Sequence, residues 1–178
     1  MVTLAKKLEK AIRTVPDYPK KGINFFDLTT LWKDGALSRE VIDALEARWK
    51  GEKIQKIAGI EARGFIVGAP LADRLGIGFV PVRKAGKLPA PHIGVSYALE
   101  YGKQGIEMHA DAIERGEKVL IVDDLLATGG TASAAASMVE KLGGKVVGFT
   151  FVAELGFLGG REKLGNNPVY SLVNYAKE

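Results

Sequence analysis

A chain of 178 residues, 47% hydrophobic and 26% charged, has room for one domain with a buried core, and the lack of cysteine excludes disulfides and thiol nucleophiles. No apolar run approaches membrane-spanning length and Met1–Lys10 lacks the core of a signal peptide, so a soluble cytoplasmic protein with no membrane partner is expected. The formal charge is +4, but the lysines are scattered and the densest basic cluster is one loop, Arg83 to Lys87, which favours a small polyanionic substrate over nucleic acid.

Leu4, Leu8, Ala11 and Ile12 recur at helical spacing, predicting an amphipathic helix over Thr3–Val15 with Thr3 as N-cap. Pro16 to Gly22 breaks it. Ile23 to Trp32 is rich in aromatics and too irregular to assign. Leu37, Val41, Leu45 and Trp49 mark the buried face of a second helix, from about Ser38 to Trp49. A βαβ alternation follows. Ile57–Ile60 reads as a strand, Glu61–Gly64 as its exit loop, and Phe65–Leu75 as a helix containing Pro70. Gly78–Val82 is the next strand, with Pro81 placing it near an edge. A basic loop, Arg83–Gly94, leads into a hairpin expected to turn around Gly102–Gly105. Val119–Val122 is a strand buried on both faces, Ala132–Leu142 a helix stopped by Gly143-Gly144, and Lys145–Ala153 and Val169–Val173 the last strands. The pattern is one α/β domain: a doubly wound, mostly parallel sheet with an inserted hairpin.

Chemistry concentrates where the central strand ends. Asp123-Asp124 follow Val122, and Leu125 to Thr131 form a small-residue loop entering a helix. In open α/β sheets ligands bind at the carboxyl ends of strands, and a helix N-terminus favours anions. A phosphate cannot face two carboxylates, so the expected ligand has a phosphate at one end and hydroxyls or a metal at the other, as in a ribose 5-phosphate. Gly129-Gly130-Thr131 lacks the lysine of a Walker A loop, and Pro81 interrupts a dinucleotide fingerprint begun by Gly76 and Gly78.

The Val119–Thr131 stretch resembles the signature of type I phosphoribosyltransferases. Ile60–Phe65, Val82–Pro89, Tyr97–Gly102 and Gly160–Leu164 extend the resemblance, from Pro16 to Leu164, to the adenine phosphoribosyltransferase family. It implies a fold with an N-terminal helix and base-binding hood segment (1–35), a core binding phosphoribosyl pyrophosphate, PRPP (54–154), and a flexible lid (83–105). It implies the reaction of adenine with PRPP to give AMP and pyrophosphate, in purine salvage. Mg²⁺ would be bound mainly through PRPP rather than in an all-protein site, and the chain would form a homodimer.

By the same resemblance, Ala127, Thr128, Gly129, Gly130 and Thr131 hold the 5-phosphate. Glu61 and Ala62, joined by a cis peptide, with Arg63, Arg83, Lys84 and Lys87, hold pyrophosphate. Asp123 and Asp124 take the ribose hydroxyls and stabilise an oxocarbenium-like transition state. Glu100 on the lid handles the purine proton, Tyr101 helps closure, and Asn24, Phe25 and Leu155 hold the base. His92 and His109 lack metal-ligand partners at suitable spacing and read as non-catalytic. The residues by themselves also allow Phe25 and Phe26 as core aromatics and Glu100 as an exposed hairpin carboxylate. Phe26 and Thr30 stand where many family members carry arginine and proline, which leaves open any side-chain contact from position 26 to the base. A hypoxanthine, guanine or xanthine transferase is the alternative within the class. A PRPP-sensing nucleic-acid regulator is the alternative outside it, disfavoured by Glu100 and by the lack of a preceding helix-turn-helix.

Overall fold

The computed structural model describes residues 2–99 and 102–177. Helix α1 (Leu4–Ala11) is capped by Thr3, whose hydroxyl accepts from the Lys6 amide at 3.4 Å. It stops two residues after Glu9, short of the expected Val15. Ile12 turns extended, and Arg13–Val15 form strand β1, paired antiparallel with β2 (Phe25–Asp27). Two local forces override the helical spacing. Thr14 and Val15 are β-branched, and Arg13 is drawn across to its register partner Asp27 by an ion pair of 2.5 Å. The unassigned aromatic stretch thus becomes β2 and a short helix, α2 (Thr29–Trp32).

Helix α3 (Gly35–Trp49) begins where the Asp34 carboxylate accepts from the amides of Ala36 and Leu37, and buries Leu37, Val41, Ile42, Leu45 and Trp49. Strand β3 (Lys56–Ile60) leads into α4 (Gly64–Leu75), which closes on left-handed Gly76. Strand β4 (Gly78–Lys84) returns to the sheet. Strands β5 (His92–Leu99) and β6 (Gly102–His109) form the hairpin, with Leu99 opposite Gly102. Residues 102–105 therefore lie within a strand and are not the turn expected from their glycines. Next come β7 (Lys118–Val122), the short β8 (Leu125–Leu126), α5 (Gly130–Lys141), β9 (Lys145–Leu155) and β10 (Val169–Tyr175).

The main sheet runs β10-β9-β7-β3-β4-β6-β5, parallel through β4 and antiparallel in the hairpin, while β8 joins β9. Strand β4 is interior to that order, yet β6 pairs only with Arg83 and Lys84. At Pro81 the side away from β3 carries no strand pairing, which is where a residue without an N–H is tolerated. Alternate residues of β7 face opposite layers: Leu120 and Val122 pack with α3 and α4, and Val119 and Ile121 pack with Ala135, Met138 and Val139 of α5. Covering both faces makes the sheet doubly wound and leaves the carboxyl ends of its strands as the place where loops gather. Among the described residues, no helix is long and apolar enough to cross a membrane.

Candidate active site

Val122 pairs with Gly59 on one side and Thr150 on the other, so the exits of β3, β7 and β9 come out at one edge. The Asp123 amide donates to the Thr150 carbonyl at 3.2 Å, and the Asp124 carbonyl accepts from Val152 and Ala153, both at 3.0 Å. The chain then rejoins β9 through Leu125 and Leu126. The acidic pair is thereby held by its backbone on both sides.

A cavity opens beside it, lined by Asp123, Leu125 to Ala132, and Phe151. Gly129, at φ +75°, swings the chain into α5 and supplies no side-chain cap. The first turn of any helix runs out of intrahelical acceptors for its N–H groups, and here that turn faces the cavity. Asp123 is half-buried and Asp124 is 1% exposed. Neither Asp124 oxygen receives a directed hydrogen bond, although Arg63 Nε lies 3.0 Å from Oδ2. Burial, and then repulsion from Asp124, pushes the Asp123 carboxyl well above the usual carboxylate range. Burial also raises Asp124, against the pull of the Arg63 guanidinium. Two crowded acids, one accepting the Asp124 amide at 2.8 Å and the other no hydrogen bond, are a poor arrangement for stability alone and a good one for receiving hydroxyl donors.

Arg63 stands between the acidic pair and a second cavity. Its guanidinium carbon sits 5.7 Å from the Phe25 ring centroid, and both line a pocket with Val15, Tyr18, Asp27 and Thr29. Tyr18 meets Phe25 edge-on at 5.2 Å. Asp27 is held down to about 2 by hydrogen bonds from Thr29 and Arg13, and so stays ionised at the pocket wall. Phe26, next in the strand, points the other way, into the core against Tyr175 at 4.5 Å. Thr30 accepts from the Arg13 amide and donates to the Ala11 carbonyl at 2.6 Å, tying α1 to the pocket.

The matching family is the phosphoribosyl transferase domain, over residues 33–169. An adenine phosphoribosyltransferase from Geobacter metallireducens is 54% identical over 169 residues, covering 95% of this chain and 99% of the relative. The chain belongs to the adenine phosphoribosyltransferase family. The crystal structure of the adenine phosphoribosyltransferase from Thermoanaerobacter pseudethanolicus superposes with a TM-score of 0.93 at 51% identity, over 97% of this chain and 100% of that one. That from Saccharomyces cerevisiae, complexed with adenine and an imino-altritol bisphosphate, gives 0.89 at 44% identity over 95% and 98%.

In this adenine phosphoribosyltransferase family member, Asp123 and residues 127–131 share the first cavity, and Phe25 and Arg63 share the second. The Glu61–Ala62 peptide is cis. The Glu61 carboxylate accepts from Arg83 Nε at 2.9 Å and the Lys84 amide at 2.8 Å, interactions that hold its pKa down. Its side chain therefore anchors the end of β4, and Arg83 is engaged by it. Lys84 and Lys87 are exposed. Asn24 is half-buried beside Phe25, and Leu155 belongs to the core cluster rather than to either cavity lining. Glu100 and Tyr101 lie outside the described residues. Three features escape sequence reasoning: Gly64 against the β7 exit, the Arg13–Asp27 pair, and the Glu154–Arg161–Ser171 cluster. Of these Gly64 and Arg161 carried a signal, their places in family motifs, and nothing in the residue type indicated their partners.

Proposed function

We propose that the chain catalyses phosphoribosyl transfer from PRPP to adenine, yielding AMP and pyrophosphate. The observation that carries this is the position of Arg63 between the two cavities: it lines the second with Phe25, and its Nε lies 3.0 Å from Oδ2 of Asp124, the chain neighbour of the Asp123 that lines the first. A sugar whose 5-phosphate lies on residues 127–131 reaches Asp123 and Asp124 with its 2- and 3-hydroxyls, and a base stacked on Phe25 is then its neighbour. The relatives' names and the adenine bound to the yeast enzyme support the choice of base.

The bond from the anomeric carbon to the pyrophosphate oxygen breaks, with its electron pair leaving on pyrophosphate. N9 of adenine forms the new bond to carbon and gives up its proton, which we assign to Glu100. Asp123 and Asp124 supply negative potential to the oxocarbenium-like centre without bonding to it. Arg63, Arg83, Lys84, Lys87 and the Glu61–Ala62 peptide receive the pyrophosphate, arginine's planar fork suiting its oxygens. Residues 83–105, with Tyr101, close over the site, because water would otherwise capture the ribosyl cation. We assign Asn24 to the base site beside Phe25 and Leu155, which sits in the core cluster outside the cavity lining, to the far side of the base, while Phe26, facing the core, leaves base selection to the backbone and to Phe25.

Mg²⁺ fits this donor set as an ion carried by PRPP: the acidic pair offers hard oxygens, those of Asp124 accept no directed hydrogen bond, and Arg63 balances only one of the two charges. Bound through PRPP, with Asp123 and Asp124 nearby, it would neutralise charge on the leaving pyrophosphate. The domain boundaries at 1–35, 54–154 and 83–105, a cytoplasmic location and a homodimer belong to the same proposal. The test is turnover with PRPP and Mg²⁺ across adenine, hypoxanthine and guanine in parallel. Adenine alone should yield nucleotide efficiently; preference for a 6-oxopurine overturns the base assignment.

A further inference from the structure

The motif Gly160-Arg161-Glu162-Lys163-Leu164 puts no side chain into either cavity. Arg161 instead closes a fork on Glu154, with Nε to Oε1 at 2.9 Å and Nη2 to Oε2 at 2.5 Å. Its Nη1 donates to the Val169 carbonyl at 2.8 Å, and Ser171 Oγ donates to Glu154 Oε2 at 2.7 Å. One guanidinium thus ties together the end of β9, the start of β10 and the single-turn helix of residues 160–164. Glu154 is 3% exposed. Burial alone would raise its pKa, but Arg161 and Ser171 outweigh burial and hold it low, so the pair stays charged.

The other end of this clamp touches the loop of the first cavity. A Cβ on Gly160 would stand 2.0 Å from the Ala127 carbonyl oxygen, and one on Gly129 would stand 2.2 Å from the Gly160 carbonyl oxygen. These are contacts of backbone on backbone, and neither side can rotate out of the way. Glu154 is also the register partner of Leu126, the last residue before that loop. The loop is therefore bounded on one side by β9 and on the other by the Gly160 peptide.

We propose that Arg161 is a positioning residue for the 5-phosphate loop: its fork on Glu154 fixes Gly160, and Gly160 sets the height of residues 127–129 beneath the phosphate. This rests on the reading of residues 127–131 as the phosphate cradle. Amide–anion hydrogen bonds hold only within a narrow range of distance, so a loop displaced by a fraction of an ångström loses them. Lysine at 161 keeps the charge but cannot make two parallel bonds to Glu154 and a third to Val169.

Steady-state kinetics of the full chain, varying PRPP and adenine separately, with a thermal melt of each variant, tests this. Arg161→Lys, Glu154→Gln and Gly160→Ala should each raise KM for PRPP about tenfold or more, while KM for adenine at saturating PRPP stays within about twofold. Lys163→Ala, on the same turn but outside the fork, should change neither. A merely structural role would lower kcat through loss of folded enzyme and leave both KM values alone; that pattern overturns the proposal. So does an unchanged PRPP KM in any folded variant of the three. Should Arg161→Lys fail to fold, Gly160→Ala poses the same question from the loop side without touching the ion pair. A wild-type chain that consumes no PRPP would instead sink the reading of the site itself.

Discussion

Gly64 opens α4 at the point where β7 leaves the sheet, and its missing side chain sets how closely the two approach. A Cβ there would lie 2.8 Å from the Val122 carbonyl oxygen, 3.1 Å from Asp123 Cα and 3.1 Å from Asp123 Oδ1. The first two belong to backbone at the end of a buried strand, so Gly64→Ala must push that exit aside by several tenths of an ångström. Overpacking of this kind costs about 1–3 kcal/mol. At about 2–4 °C per kcal/mol for a domain of this size, Tm should fall by roughly 2–12 °C. The shift lands on Asp123, so KM for PRPP should rise about tenfold or more. Gly68→Ala is the comparison, because its Cβ would meet the Phe79 ring at 2.8 Å, within the same helix but away from the acidic pair. It should lower Tm and leave the PRPP KM unchanged. Differential scanning calorimetry and initial rates read both quantities. Wild-type Tm and KM in Gly64→Ala would refute the reasoning, as would an equal rise in PRPP KM in the two variants.

The raised carboxyl of Asp123 makes stability fall with pH. Between the unfolded value of about 3.9 and the higher native value, the native state holds protons the unfolded chain has released, so each step up in pH favours unfolding. Asp123→Asn should flatten that slope and raise Tm near neutrality, while weakening PRPP binding; a melting series in which the wild type gains on the variant as pH rises contradicts the assignment. Phe25→Ala should raise the adenine KM about three- to tenfold through lost stacking, with the PRPP KM constant. Phe26→Ala should instead cost about 3–5 kcal/mol of stability; exchanged phenotypes would mean the strand faces are misassigned. Glu100→Ala should slow turnover by about 10²–10⁴ with PRPP binding retained, and undiminished turnover removes its role as acid/base.

The sheet was readable because β3, β7 and β9 are apolar on both faces and bounded by glycine, proline or charge, a pattern few other structures satisfy. That a cavity lies at the loop after Val122 was readable because small residues leave a strand exit there and enter a helix. What stayed hidden depends on partners distant in the chain. The α1 periodicity runs through Ile12, and Asp27 and Thr30, brought alongside, join the β-branched Thr14 and Val15 in turning residues 13–15 into a strand. The glycines at 102 and 105 suggested a turn, but Gly105 pairs with Ser96 inside β6, where its Cβ would stand 3.2 Å from Ala85. Phe25 and Phe26 were indistinguishable by type, and the pleat of β2 assigned one to the pocket and the other to the core. Arg161 was in view as a motif, while its partners lay in Glu154 and in a carbonyl of β10.

The central claim is that a sugar phosphate seats between the acidic pair and the turn entering α5. Titration calorimetry of PRPP with Mg²⁺ into the full chain tests it most directly, run beside the doubly substituted Asp123→Asn, Asp124→Asn chain. Saturable uptake at one site per chain, lost in the double variant while its fold persists, is the predicted result. No uptake by the wild type, or equal uptake by both, would contradict it.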